Sequence, residues 1–247
     1  MTALKPLAII TGPTACGKTP TAVALAKMID GEIVSADSKQ VYRGMNIGTA
    51  KPTMAERAGI PHHLLDVAEA GDEFSAKIFQ DLACAAIDDI YKRGKSPILA
   101  GGTGFYINAA IYKNALDRAE GEELQLRYRP LFFILQRNRS KLYEAIDERV
   151  ILMFSQGLAE EVENLLASGI SEESTAMQAL GYKEVVPYLK GRCTLEETIH
   201  LIQQGSRRYA KRQLTWFRHQ INGICLSMDD LTIEEAAVKI KSELSRI

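Results

Sequence analysis

The chain has 247 residues, 46% of them hydrophobic, and its 30 lysines and arginines nearly balance 31 aspartates and glutamates. This length allows one large domain, or one domain with a smaller appendage, and the apolar content supports a substantial core, which excludes a wholly disordered protein. The formal charge of −1 provides no global field that would attract polyanions. Any surface for nucleic acid must therefore be local.

The four cysteines are scattered along the chain, and the sequence contains no C-x-x-C pair. This pattern excludes a zinc knuckle and a disulfide framework. The short apolar run near the N-terminus leads directly into a glycine-rich loop, and no apolar stretch is long enough to cross a bilayer. We therefore expect a cytoplasmic protein without membrane contacts.

The first half of the chain alternates between short buried strands and helices. In chain order, the pattern predicts a strand at 7–11, a helix at 18–28, a strand at 31–35, a helix at 75–93 and a strand at 96–100. Strands that alternate with helices are typical of an α/β protein, in which helices cover both faces of a parallel sheet.

The second half is predicted to be largely helical. One more strand at 131–135 is followed by helices at 140–155, 159–167 and 194–218. Capping boxes that begin at Thr194 and Thr232 mark the starts of the last two helices. The charged, poorly patterned segment 117–129 is predicted to be a linker or an excursion from the core.

The most specific motif is GPTACGKT, which lies between the first predicted strand and the first helix and matches G-x-x-x-x-G-K-[ST]. Glycines let backbone N–H groups curl around a diphosphate, the lysine adds a positive charge, and the final hydroxyl can bind Mg²⁺. A flexible glycine turn is the alternative. The predicted phosphate-binding residues are Gly12, Pro13, Thr14, Ala15, Cys16, Gly17, Lys18 and Thr19.

Two further polar residues follow predicted strands. Asp37 comes after the second strand, where a carboxylate points into the ligand crevice and could accept a proton, although it could equally cap a turn. Thr103 lies in a Gly-Gly-Thr-Gly loop after the third strand, where its hydroxyl could bind a phosphorylated substrate or the loop could be only a tight turn.

A basic segment without any acidic residue covers 205–218. This imbalance favours a phosphate or nucleic-acid surface, although charged helix faces are often only solvated. Tyr209, Gln213 and Trp216 fall on another face, so the two aromatic residues are predicted to anchor the helix to the core rather than to stack on bases. The cationic residues are Arg207, Arg208, Lys211, Arg212 and Arg218.

Six segments in the same order resemble the bacterial tRNA dimethylallyltransferases, also called tRNA isopentenyltransferases. This resemblance implies a parallel sheet like that of P-loop NTPases, flanked by helices, with a largely helical C-terminal half. The segments are GPTACGKT, SADSKQVYRGMNIGTAKP, IPHHLLD, AGGTGFY, ALGYKE and RRYAKRQLTWFR.

The resemblance also implies roles for individual residues. The glycine loop would hold the diphosphate of dimethylallyl diphosphate, with Mg²⁺ on Thr19, while the five-carbon group passes to N6 of an adenosine beside the tRNA anticodon. Asp37 would be the general base, Thr103 would contact the reacting centre or a bridging oxygen, and Arg149 would bind diphosphate. The residues implied to bind tRNA are Asp37, Ser38, Lys39, Gln40, Arg207, Arg208, Lys211 and Arg212.

Other functions remain open at this stage. The glycine loop and Asp37 alone would suit a kinase of a small metabolite, the basic helix alone would suit a non-catalytic RNA-binding module, and a related enzyme could prenylate free AMP. His62 and His63 match a family motif, for which a structural role in a loop is the simpler interpretation. We expect a monomer.

Family members usually carry a helical insertion where this chain has only residues 113–130. Either the insertion is reduced or residues are missing from this chain, and we favour the second, because a lobe that clasps RNA is often disordered without it. The predicted organisation is a first part of the core at 1–112, the insertion junction at 113–130, and a continued core with C-terminal helices at 131–247.

Overall fold

A computed structural model describes residues 4–246 and contains a sheet of six parallel strands. The strands are β1 (Pro6–Thr11), β2 (Gly31–Ser35), β3 (His62–His63), β4 (Ser96–Gly101), β5 (Arg129–Gln136) and β6 (Ile224–Ser227). They lie in the order β3-β2-β4-β1-β5-β6, which confirms the predicted parallel sheet. The glycine loop follows β1, which lies between β4 and β5 in the interior of the sheet.

Helices cover both faces of the sheet. They are α1 (Lys18–Ile29), α2 (Met54–Arg57), α3 (Ala76–Lys92), α4 (Gly104–Ile111), α5 (Arg139–Ser155), α6 (Leu158–Ala167), α7 (Tyr182–Leu189), α8 (Leu195–Gln220) and α9 (Ile233–Leu244). Successive residues of a strand point to opposite faces, so Ile10 packs in the cluster that includes α1 and α9, whereas Ile9 packs in the cluster that includes α3 and α4.

A third hydrophobic cluster joins the helical C-terminal half to the loop that follows β2. Tyr42 and Met45 of this loop are fully buried against side chains of α5, α6, α7 and α8. The loop and the helices therefore form a wall beside the carboxyl end of β2, where Asp37 lies.

The sequence did not predict five elements. Strand β6 lies at the edge of the sheet and exposes three of its four residues, so it lacks the apolar run of a buried strand. Strand β3 has two residues, and helices α2, α4 and α7 have eight residues or fewer, which is too short for a clear period. Strand β5 begins two residues earlier than predicted and ends one residue later.

The segment between α4 and β5 contains turns and one antiparallel bridge, which pairs Tyr112 with Leu126. It thus leads the chain from the end of α4 to the start of β5 without a helix of its own. Among residues 4–246, no helix combines the length and hydropathy needed to cross a lipid bilayer.

Candidate active site

The glycine loop has the backbone that a phosphate-binding loop requires. Gly12, Ala15 and Gly17 all have positive φ, at 148°, 62° and 93°. A Cβ atom on Gly12 would lie only 2.5 Å from the carbonyl oxygen of Leu135, so a larger residue cannot be accommodated without moving β5. The loop leads directly into the N-terminus of α1, where backbone N–H groups are free for an anion.

Lys18 folds back over the loop. Its Nζ donates hydrogen bonds to the carbonyl oxygens of Gly12 at 3.0 Å and Pro13 at 2.7 Å. Burial lowers the pKa of this ammonium group, so a bound diphosphate would strongly favour its charged form. Burial also raises the pKa of the Cys16 thiol beneath the loop, which keeps this cysteine protonated and unreactive.

Asp37 and Thr103 meet at the carboxyl ends of β2 and β4. Asp37 Oδ1 accepts hydrogen bonds from the backbone N–H groups of Lys39 at 2.9 Å and Gln40 at 3.3 Å. Thr103 Oγ1 accepts from the backbone N–H of Ser38 at 3.2 Å. The turn-capping alternative for Asp37 is therefore present, but it uses one oxygen only, and Oδ2 has no hydrogen bond within the described chain.

A cavity of about 490 Å³ connects the glycine loop with Asp37 and the basic helix α8. Arg149 of α5 lines it and donates from Nη1 to Thr14 Oγ1 at 3.3 Å, so it reaches the glycine loop as the resemblance implies. Burial lowers the pKa of Arg149, so an anion bound beside it would stabilise the charged form of its guanidinium group. Arg208 and Arg212 line the same cavity.

The predicted tRNA-binding cations do not all share one environment. Segment 205–218 contains no acid, but Asp147 of α5 forms an ion pair with Arg207, so the charge of this arginine is balanced from another helix. Lys39 donates from Nζ to the carbonyl oxygen of Thr175 at 2.8 Å. Lys211 lies in a separate groove beside Trp216.

The remaining predicted residue of this stretch, Gln40, serves the loop itself. Its Nε2 donates to the carbonyl oxygens of Thr49 and Ala50, both at 3.2 Å. Thr49 and Ala50 line the large cavity. Gln40 therefore fixes one part of the cavity wall.

Gln213 links the two glycine-rich loops, which the sequence did not indicate. Its Oε1 accepts from the backbone N–H of Thr14 at 2.9 Å, and its Nε2 donates to the carbonyl oxygen of Gly102 at 2.9 Å. The side chain is buried. Gln213 shares a face of α8 with Tyr209 and Trp216, which agrees with its buried position. A polar residue between two aromatic residues on that face was the only sequence feature that could have indicated its role.

Glu161 of α6 is a second residue that the sequence did not identify. Its carboxylate accepts hydrogen bonds from the backbone N–H groups of Asn46, Ile47 and Gly48 at 2.9–3.2 Å. It also accepts from the hydroxyl of Tyr182 at 2.6 Å. These bonds hold the loop that continues into the wall of the large cavity.

The two histidines point to opposite sides of β3. His63 Nε2 lies 2.8 Å from Glu32, which also accepts from Arg93 at 2.7 Å, so His63 belongs to a structural ion-pair network. His62 instead lines a cavity of about 40 Å³ together with Lys18, Thr19, Ser35, Asp37 and Gln40. Asp37 lines both this small cavity and the large one.

The residues that line the small cavity bear on the Mg²⁺ ion that the resemblance implies on Thr19. No group of three or more histidine, cysteine, aspartate or glutamate side chains in residues 4–246 is arranged to hold a metal. Mg²⁺ does not need such a cage, because it usually binds one or two protein oxygens, substrate phosphates and waters. The hydroxyl of Thr19 and the carboxylate of Asp37 are oxygens of that kind.

Comparison with known proteins gives one consistent result. The IPP transferase family matches residues 40–125 and 114–220. The tRNA dimethylallyltransferase of an Exiguobacterium species is 41% identical over 93% of this chain and 92% of its own, and that of Macrococcus caseolyticus is 35% identical over 98% and 96%.

Two solved structures of similar proteins have the same fold. The tRNA isopentenylpyrophosphate transferase of Staphylococcus epidermidis aligns with a TM-score of 0.89 at 33% identity, over 98% of this chain and all of the other. The enzyme of Bacillus halodurans aligns with a TM-score of 0.88 at 36% identity, over 98% and 96%. The chain thus belongs to the IPP transferase family, as a relative of the bacterial tRNA dimethylallyltransferases.

Proposed function

We propose that this protein transfers a dimethylallyl group from dimethylallyl diphosphate to the exocyclic N6 of an adenosine next to the anticodon of tRNA, releasing diphosphate. The observation that carries the proposal is the arrangement around one cavity of a glycine loop, Asp37 and the basic helix. The glycine loop grips an anion, the carboxylate accepts a proton, and the helix offers cations to RNA phosphates.

The reaction breaks an allylic C–O bond, which places positive charge on carbon and negative charge on the departing diphosphate. Donors directed at that developing negative charge lower the barrier. The loop N–H groups, Lys18 and Arg149 are such donors, and Arg149 is already positioned beside Thr14. Mg²⁺ bound through Thr19 would add a divalent charge on the same oxygens.

Asp37 is the base that receives the N6 proton. Its Oδ1 is held by two backbone N–H groups, which orients the carboxylate while Oδ2 stays open toward substrate. Thr103 Oγ1 accepts a hydrogen bond from the backbone of Ser38, the residue after Asp37, which supports a contact of this hydroxyl with the reacting centre. A carboxylate with one oxygen fixed and one free suits proton transfer.

The cavity matches the size of the reacting groups. About 490 Å³ lies within the range of small-molecule sites, and an adenine turned out of its RNA strand together with a five-carbon chain would fit such a volume. Ser38 lies beside Asp37 on its wall, and Arg208 and Arg212 provide cations there. We expect the protein to act as a cytoplasmic monomer on the anticodon stem-loop.

The test is transfer of label from dimethylallyl diphosphate to unmodified tRNA in the presence of Mg²⁺. Asp37→Ala should abolish transfer while leaving tRNA affinity nearly unchanged, because the carboxylate acts on a proton rather than on the phosphates. Lys18→Met should remove most transfer by weakening the diphosphate cradle. If the unmodified protein does not label tRNA, or if it transfers phosphate from ATP to a small metabolite without labelling RNA, the proposed reaction is refuted. Undiminished transfer by Lys18→Met would refute the role of the diphosphate cradle.

A further inference from the structure

His62 has one ring nitrogen without a protein partner. Nδ1 lies 2.9 Å from the carbonyl oxygen of Ile60, which can only accept, so Nδ1 carries the proton. Burial lowers the pKa of His62, so the ring is neutral and Nε2 keeps a free lone pair. Nε2 is buried and has no hydrogen-bond partner among the described residues. A buried acceptor of this kind calls for a donor.

His62 lines the small cavity, and the size of this cavity limits which donors could approach the nitrogen. Its volume of about 40 Å³ has room for a small hydrated group, since one water needs roughly 10–15 Å³, but it is too small for an organic ligand. Its other polar residues include Thr19, Ser35 and Asp37, which present oxygens. The cavity also adjoins Lys18, whose ammonium group lies over the glycine loop.

A magnesium ion would supply the missing donor through its water. Mg²⁺ prefers oxygen to nitrogen and loses its waters reluctantly, so a neutral imidazole beside it would receive a hydrogen bond from a bound water rather than bind the metal. We propose that His62 Nε2 accepts a hydrogen bond from a water of the Mg²⁺ ion held by Thr19 and the diphosphate. His62 is then a positioning residue of the metal site, and this inference rests on the proposed function.

The neighbouring histidine provides a matched control. His62 pairs with Ile33 and His63 with Val34 in the register of β2 and β3, and their side chains lie on opposite faces of the strand. His63 Nε2 is already paired with Glu32, away from the small cavity. Equivalent substitutions at the two positions thus alter the same strand, but only the substitution at His62 changes a residue that lines the small cavity.

The experiment measures Mn²⁺ bound by the protein in the presence of inorganic pyrophosphate, using the electron paramagnetic resonance of free Mn²⁺. His62→Asn can keep the bond to Ile60 but lacks the outer acceptor, and it should weaken Mn²⁺ binding by about 10- to 100-fold. His62→Gln carries an amide oxygen near the position of Nε2 and should restore affinity to within a few-fold of the unmodified protein. His63→Asn should leave the Mn²⁺ affinity unchanged.

Two failures of the experiment can be told apart. If the unmodified protein does not retain Mn²⁺ with pyrophosphate, the proposed diphosphate cradle is wrong. If it does, and folded His62→Asn retains Mn²⁺ with the same affinity, the role of His62 is overturned while the cradle stands. His62→Phe, checked by thermal unfolding, gives a second protein without the outer acceptor, and equal affinity there would also overturn the inference.

Discussion

Replacing Gln213 by methionine tests whether the two glycine-rich loops are held by one side chain. Methionine has a similar length but would leave the N–H of Thr14 and the carbonyl of Gly102 without a hydrogen-bond partner, since both now bond to the glutamine at 2.9 Å. A buried polar group left without a partner destabilises a protein by about 1–3 kcal/mol. Because the bond to Gly102 is buried and that to Thr14 is partly buried, we expect a loss of about 2–4 kcal/mol.

The assay is urea unfolding of Gln213→Met together with the KM for dimethylallyl diphosphate. The KM should rise, since the Thr14 N–H belongs to the loop that holds diphosphate. Gln220→Met is the control, because Gln220 is exposed at the end of the same helix. An unfolding free energy within about 0.5 kcal/mol of the unmodified protein, the range of a neutral surface change, combined with an unchanged KM, would refute the reasoning.

Three further predictions concern residues outside the cavity centre. Bonding to Arg93 lowers the pKa of Glu32 to about 2. This pair should therefore stabilise the fold above pH 4.5 and lose its effect as the pH falls toward 2. Glu32→Gln should flatten that part of the curve of unfolding free energy against pH. Lys211→Ala should reduce the steepness of log tRNA affinity against log salt concentration by about 1. Arg207→Ala should change it less, because Arg207 already forms an ion pair with Asp147. Equal slopes for the two variants would contradict this. Glu161→Ala should reduce the free energy of urea unfolding by at least about 2 kcal/mol, because it removes the acceptor of the backbone N–H groups in the loop at Asn46–Gly48. A smaller loss would show that this loop keeps its conformation without Glu161.

Much of the fold could be read from local pattern. The glycines, the lysine and the threonine of the loop between β1 and α1 have a fixed spacing, because the backbone must turn around an anion. This requirement acts on neighbouring residues, so the sequence shows it directly. The capping boxes at Thr194 and Thr232 marked the starts of α8 and α9, because their hydrogen bonds also join residues only three positions apart. Strand β6 escaped prediction because an exposed edge strand has little apolar period.

The candidate site was only partly predictable. Asp37 and Thr103 could be placed at one edge of the sheet because parallel strands end on the same side, and in the structure Thr103 bonds to Ser38, the residue after Asp37. The charge state of the basic helix could not be judged from its own residues, since Asp147, which pairs with Arg207, lies 60 residues earlier.

The sequence by itself indicated strands β1, β2, β4 and β5, the longer helices, the glycine loop, and the polar residues Asp37 and Thr103 that follow two of the strands. Only the tertiary structure decided which of those residues share a cavity and what holds them there. Gln213 bonds to a residue 199 positions away and Glu161 to a loop more than 100 positions away, so neither interaction leaves a local pattern. Hydrogen bonds between distant segments depend on how helices pack on the sheet, which is settled only when the whole chain folds.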